Sequence, residues 1–103
     1  NIYPKEIESL LDDLPGVVES AVIGVPHSDF GEAVVAVLVA EGAPPDDHTI
    51  EAALGERLAR FKHPRRLIWV EELPRNAMGK VQKAVLREQY ADCRAQPAQS
   101  RSR

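Results

Sequence analysis

Ile7, Leu10, Leu11 and Leu14 recur at three- and four-residue spacing, the period that lines one face of a helix. Pro4 suits the first turn, where its missing N–H costs nothing, and Pro15-Gly16 stops the pattern, so a helix is predicted over about 4–14. β-Branched residues then dominate Val17 to Val25, which reads as a strand strongest from Ser20. Pro26 to Gly31 has the composition of a turn, with Gly31 there for its backbone and Asp29 for local hydrogen bonds. Glu32 to Glu41 is apolar through its middle and is predicted to be a central strand, buried on both faces and able to pair with the first. A loop rich in Pro and Asp follows, whose aspartates suit a helix N-cap. Ile50, Ala53, Leu54, Leu58 and Phe61 form the stripe of a second helix over about 48–61. Arg66 to Leu73 is a third strand, and Ala84, Leu86 and Tyr90 mark the packed side of a third helix over roughly 83–92. The order αββαβα implies an α+β fold: a small sheet of about three strands with three helices packed mainly on one face.

Composition narrows the class. The chain has 103 residues, enough for one domain with a modest core, and its 44% apolar and 28% charged residues are ordinary for a globular protein. No apolar run approaches a membrane span, and the lone Cys93 excludes an internal disulfide framework, so a cytoplasmic protein is expected. Cys93 itself reads as an ordinary thiol. His27, His48 and His63 are scattered, which argues against a metal site, and no Ser-His-Asp arrangement is legible. The opening Asn1-Ile2-Tyr3-Pro4 reads as a cut from a longer polypeptide, and the polar tail 94–103 is expected to be disordered.

Charge is unevenly distributed along the chain. Residues 1–56 hold 12 acids and one base, whereas residues 57–103 hold 12 bases and four acids. Such asymmetry marks either an anionic partner for the basic half or two solvated faces of opposite sign. Nucleic acid is not expected, because the basic half has few aromatics to stack bases and no binding motif.

Candidate chemistry concentrates in Leu73-Pro74-Arg75-Asn76-Ala77-Met78-Gly79-Lys80-Val81-Gln82-Lys83. Gly79 permits a tight turn, and the ammonium of Lys80 would project from a loop, where a cation suits a phosphate or a developing oxyanion. The run from Pro74 to Lys80 has the form Pro-x-x-x-x-Gly-Lys. With Asn1 to Glu8, Val22 to His27 and Asp29 to Glu32, in that order, the chain resembles the small C-terminal domain of the adenylate-forming acyl-CoA synthetases. The resemblance spans residue 1 to about 92. Its wording at 15–27 and 73–83 is most similar to malonyl-CoA synthetases.

The resemblance implies that residues 1–93 form the lid domain of an ATP-dependent, AMP-forming ligase, truncated at its N-terminal hairpin. It implies Lys80 as the catalytic lysine for acyl-adenylate formation, and a rotation of the domain before thioester formation with coenzyme A. Gly79 and Arg75 would belong to the nucleotide and substrate loop, with Lys83 a further cation beside it. Tyr3, Arg57, Arg60 and Lys62 are the candidate coenzyme A contacts; a solvated helix end, its cations complementing the dipole, is the alternative for the basic ones. ATP with Mg2+ and coenzyme A would be bound mainly by a large N-terminal adenylation domain, with a small carboxylic acid, malonate or methylmalonate, as substrate. Acetylation and deacetylation of Lys80 would regulate the enzyme, and the chain alone would be inactive. The alternatives are the same domain from an aryl- or fatty-acyl-CoA ligase or a peptide-synthetase module, and a stand-alone interaction domain that kept the fold.

Overall fold

The structure is a computed structural model, and it describes residues 3–27 and 31–91. The expectations for Asn1, Ile2, Asp29, Phe30, Cys93 and the tail lie outside the described residues. The elements are α1 (Pro4–Asp12), β1 (Val17–His27), β2 (Gly31–Ala40), α2 (Asp47–Gly55), β3 (Arg66–Val70) and α3 (Lys83–Gln89), with a short 3-10 turn at Arg60–Lys62. The order is the one the pattern predicts.

β2 lies at the centre of a three-stranded sheet of order β1-β2-β3. It pairs antiparallel with β1, Val22 opposite Ala36, and parallel with β3, Val37 opposite Ile68. The parallel pair requires a crossover, and α2 supplies it. Ala33 through Leu38 are all buried, because this strand is covered on both faces. Strand side chains alternate, so the sheet divides the core in two. Val22, Ala36, Leu38 and Leu67 meet Ile7 and Leu11 of α1 and Ile50 and Leu54 of α2 on one face. Ala21, Ile23, Val35, Val37 and Ile68 meet Leu73 and Leu86 on the other. The helices are therefore mainly on one face, with α3 opposite.

Helix ends follow local chemistry. Pro4 opens α1, and the Tyr3 carbonyl accepts from Glu6 N at 3.0 Å. Asp46 caps α2, its side chain accepting from Thr49 N at 2.8 Å, as the loop's aspartates predict. Two expectations are corrected. The second helix does not run to Phe61; it ends at Gly55, a poor helix former, and Leu58 N closes the turn by donating to Leu54 O at 2.9 Å. Phe61 consequently falls in the 3-10 turn and is 78% exposed, not part of the core. Leu86 of α3 is buried and Tyr90, at its C-cap, is half-buried, but Ala84 faces outward, because it lies about 200° around the helix from Leu86.

Candidate functional site

The third strand stops at Val70 and not at Leu73 as expected; Leu73, buried three residues beyond its end, anchors the segment that follows. The chain then doubles back: Gln82 N donates to Pro74 O at 2.9 Å, and Arg75 and Val81 form an antiparallel bridge. Asn76 closes the tip. Its backbone N donates to Lys80 O at 3.0 Å, and its carbonyl accepts from Gly79 N at 2.9 Å. Its side-chain Oδ1 accepts from both Met78 N at 2.9 Å and Lys80 N at 3.0 Å. Short Asn side chains make such bonds readily, which is why they favour turns. Gly79 sits at φ +87°, in the left-handed region, while a β-carbon there would meet nothing within 4 Å. Within this domain, Gly79 is required by backbone conformation and not by space.

Lys80 is exposed, with its backbone held and its side chain released. Its carbonyl also accepts from Gln82 Nε2 at 3.1 Å, yet its ammonium has no ion pair or hydrogen bond among the described residues. Its two cationic neighbours behave otherwise. Arg75 donates to Glu19 Oε1 at 2.6 Å and Oε2 at 3.1 Å, and through Nε to Gly79 O at 3.0 Å. Lys83 pairs with Glu8 Oε2 at 2.7 Å, an oxygen that also accepts from Val22 N at 2.8 Å on the sheet edge. Arg75, expected as a loop residue near phosphate, is therefore engaged in bracing the loop. Lys83 is likewise spoken for.

These pairs lie beside a patch of carboxylates on α1 and β1. The hydrogen bond from Arg75 holds the Glu19 carboxyl below the usual glutamate value and raises Arg75 in turn. Asp12 moves the other way. Burial raises it, the hydrogen bond from Ser20 Oγ at 2.7 Å opposes that, and the nearby charges of Glu8, Glu19 and Asp13 reinforce it. At the C-cap of α3, burial raises the Tyr90 hydroxyl. Sequence reading missed Glu8, Glu19 and Asn76. Only Asn76 carried a local signal, as a turn residue three positions before a glycine.

The second group of expected residues is partly assembled. Lys62 Nζ lies 5.1 Å from the centre of the Tyr3 ring and 6.0 Å from that of Phe61, and pairs with Glu6 Oε1 at 3.2 Å. Arg57 and Arg60 are exposed on the same segment. They lie just beyond the end of α2, Arg57 directly after its C-cap Glu56, so the helix-end alternative also stands. Phe61 joins this group as an exposed aromatic that the predicted helix had placed inside. Among the described residues no three His, Cys, Asp or Glu side chains are grouped to hold a metal ion. No helix among them is long and apolar enough to cross a membrane.

Comparison with known proteins shows the family. Residues 6–80 match the AMP-binding enzyme C-terminal domain family. The long-chain-fatty-acid–CoA ligase FadD13 of Mycobacterium tuberculosis is 47% identical over 91 residues, covering 88% of this chain and 18% of the relative. Crystalline ATP-bound MatB from Rhodopseudomonas palustris superposes with a TM-score of 0.87 at 60% identity, over 90% of this chain and 19% of that one. The Mycobacterium tuberculosis fatty acyl CoA synthetase gives 0.85 at 46% identity, over 90% of this chain and 18% of that one. The chain thus spans about a fifth of the length of the proteins it matches.

Proposed function

The chain belongs to the AMP-binding enzyme C-terminal domain family, and from that premise we propose that it is the catalytic lid of an ATP-dependent, AMP-forming acyl-CoA synthetase. In the first half-reaction a substrate carboxylate attacks the α-phosphorus of ATP, giving an acyl-adenylate and pyrophosphate. In the second, the thiol of coenzyme A attacks the acyl carbon and AMP leaves. Lys80 serves the first. Its ammonium bridges the carboxylate and the phosphate oxygens, orienting the attack and offsetting charge at phosphorus.

One observation carries this reading: of the three cations along the loop, Lys80 alone has no partner among the described residues, and its backbone is fixed by Asn76. A charge already neutralised by its own domain would have to break that pair before acting. An unpaired ammonium on an ordered backbone is preorganised for an anion.

The remaining parts follow from the same reading. A large adenylation domain of the same polypeptide holds ATP with its Mg2+, coenzyme A and the acid. This lid rotates between the half-reactions and is inactive by itself. Tyr3, Lys62, Arg57 and Arg60, with Phe61, face the nucleotide end of coenzyme A in the second. Acetylation of Lys80, reversed by a deacetylase, removes the charge and halts adenylation. The enzyme is cytoplasmic. Malonate or methylmalonate is the acid, a choice supported by the wording of 15–27 and 73–83. The higher identity to MatB than to FadD13 or the fatty acyl synthetase also supports an acid outside the long-chain class. A fatty-acyl ligase is the second reading, favoured by the 47% identity to FadD13. Assaying the full-length enzyme with a panel of carboxylic acids for CoA-dependent AMP release decides between them. Release with malonate above that with long-chain acids is expected; the reverse order contradicts the substrate, and no release with any acid contradicts the activity.

A further inference from the structure

A continuous chain of bonds runs from the sheet edge to the peptide that precedes Lys80. Glu19, on β1, accepts from both terminal nitrogens of Arg75 at 2.6 and 3.1 Å. With its fork held by this bidentate pair, Arg75 turns Nε toward Gly79 O, which accepts at 3.0 Å. On the opposite side of the same peptide, Lys80 N donates to Asn76 Oδ1 at 3.0 Å. A peptide unit is planar, so holding its oxygen from one side and its N–H from the other fixes the plane. That plane sets the direction in which the Lys80 side chain leaves the backbone.

We propose that Glu19 is a positioning residue for Lys80, acting through Arg75 to lock the Gly79–Lys80 peptide plane and so to aim the ammonium. The proposal deepens the adenylation role given to Lys80 and rests on it. Glu19 touches no reacting atom. Its effect is to confine Arg75 to the one arrangement that reaches Gly79 O; without the carboxylate, the long guanidinium side chain samples others, and the peptide is held from one side only. The far end of the loop is secured independently by Lys83 on Glu8. Losing Glu19 therefore loosens the aim of Lys80 without releasing α3.

The test uses Glu19→Gln, Arg75→Gln and the double variant. Amide hydrogen exchange at Lys80 is measured on the full chain, with the amides of β1 and β2 as reference. The two half-reactions are measured on the whole enzyme. Glu19→Gln is expected to speed Lys80 exchange relative to the sheet and to slow adenylation by about ten- to a hundredfold, the scale of a misplaced catalytic group. Thioester formation from supplied acyl-adenylate should stay within about twofold, and KM for the acid should not move. The double variant should be no worse than Arg75→Gln, since both break one chain of contacts. Parental exchange and adenylation in Glu19→Gln, additive losses in the double variant, or sheet amides speeding as much as Lys80 would each overturn the proposal. If Lys80→Ala keeps adenylation, the catalytic reading fails, while the exchange ratio still decides whether the brace exists.

Discussion

Glu19 holds Arg75 with both carboxylate oxygens, at 2.6 and 3.1 Å, although 56 positions separate them in sequence. Lys62 with Glu6 and Lys83 with Glu8 follow the same rule: each joins an acid of the first half of the chain to a base of the second. The lopsided charge distribution is thus partly structural. Among the described residues these three cations of the basic half are matched from within, and Lys80 is not one of them.

Gly79→Ala is expected to destabilise the loop by about 1–2 kcal/mol, because an L side chain is strained at φ +87° even with open space around it. Gly79→Asn should cost less, since Asn tolerates the left-handed region. Urea unfolding and the NMR shifts of Met78 and Lys80 check the order. Equal losses for the two variants would contradict a conformational requirement.

Leu86 is the single fully buried side chain of α3, 1% exposed against Ile23, Val35 and Leu73. Leu86→Ala should cost about 2–5 kcal/mol, as buried leucine truncations do. Val85→Ala, at the neighbouring exposed position, should stay within about 0.5 kcal/mol. Thermal unfolding of the two variants makes the comparison.

The sign of the acid response follows from two carboxylates moved in opposite directions. Glu19 is lowered from 4.5 by its hydrogen bond to Arg75, so its contribution is present above that value and is lost as pH falls through the folded-state pKa. Asp12 is raised from 3.8 by burial, so its contribution is largest in acid and is lost as pH rises through its own. Carboxyl NMR titration should therefore show Glu19 below the usual glutamate value and Asp12 above the usual aspartate value, with the Gly79 and Lys80 amides following Glu19. Glu19→Gln should abolish that amide response. Amides that instead follow Asp12 would contradict the assignment.

Much of this was legible because the signals are local. Ile7 and Leu11 announced α1 by their spacing, the apolar middle of β2 announced a central strand, and Gly79-Lys80 announced the loop. What stayed hidden depends on distant partners. Nothing near Glu8 or Glu19 in sequence says that a cation from the other half will arrive. Phe61 misled because Leu54, Leu58 and Phe61 keep helical spacing across Gly55, where the helix in fact ends. α3 was foreseen as a helix, but its face of the sheet is set by the strand alternation that puts Ile23 and Val35 beneath Leu86.

The aromatic and basic segment makes a separate claim about coenzyme A. Each charge-assisted hydrogen bond to a phosphate contributes about 1.5–3 kcal/mol, so coenzyme A should show a KM roughly tenfold or more below that of its 3′-dephospho form. Arg57→Ala with Arg60→Ala should erase the difference without changing adenylation. Equal use of the two thiols by the parent enzyme would remove this segment from the site.

The central claim is that one unpaired ammonium, delivered on an ordered loop, drives the first half-reaction. Lys80→Ala in the full-length enzyme tests it by measuring acyl-adenylate formation beside thioester formation from supplied acyl-adenylate. Adenylation should fall by on the order of 100- to 1000-fold or more while the thioester step stays near parental. Equal loss of both steps, or retention of adenylation, would contradict the account.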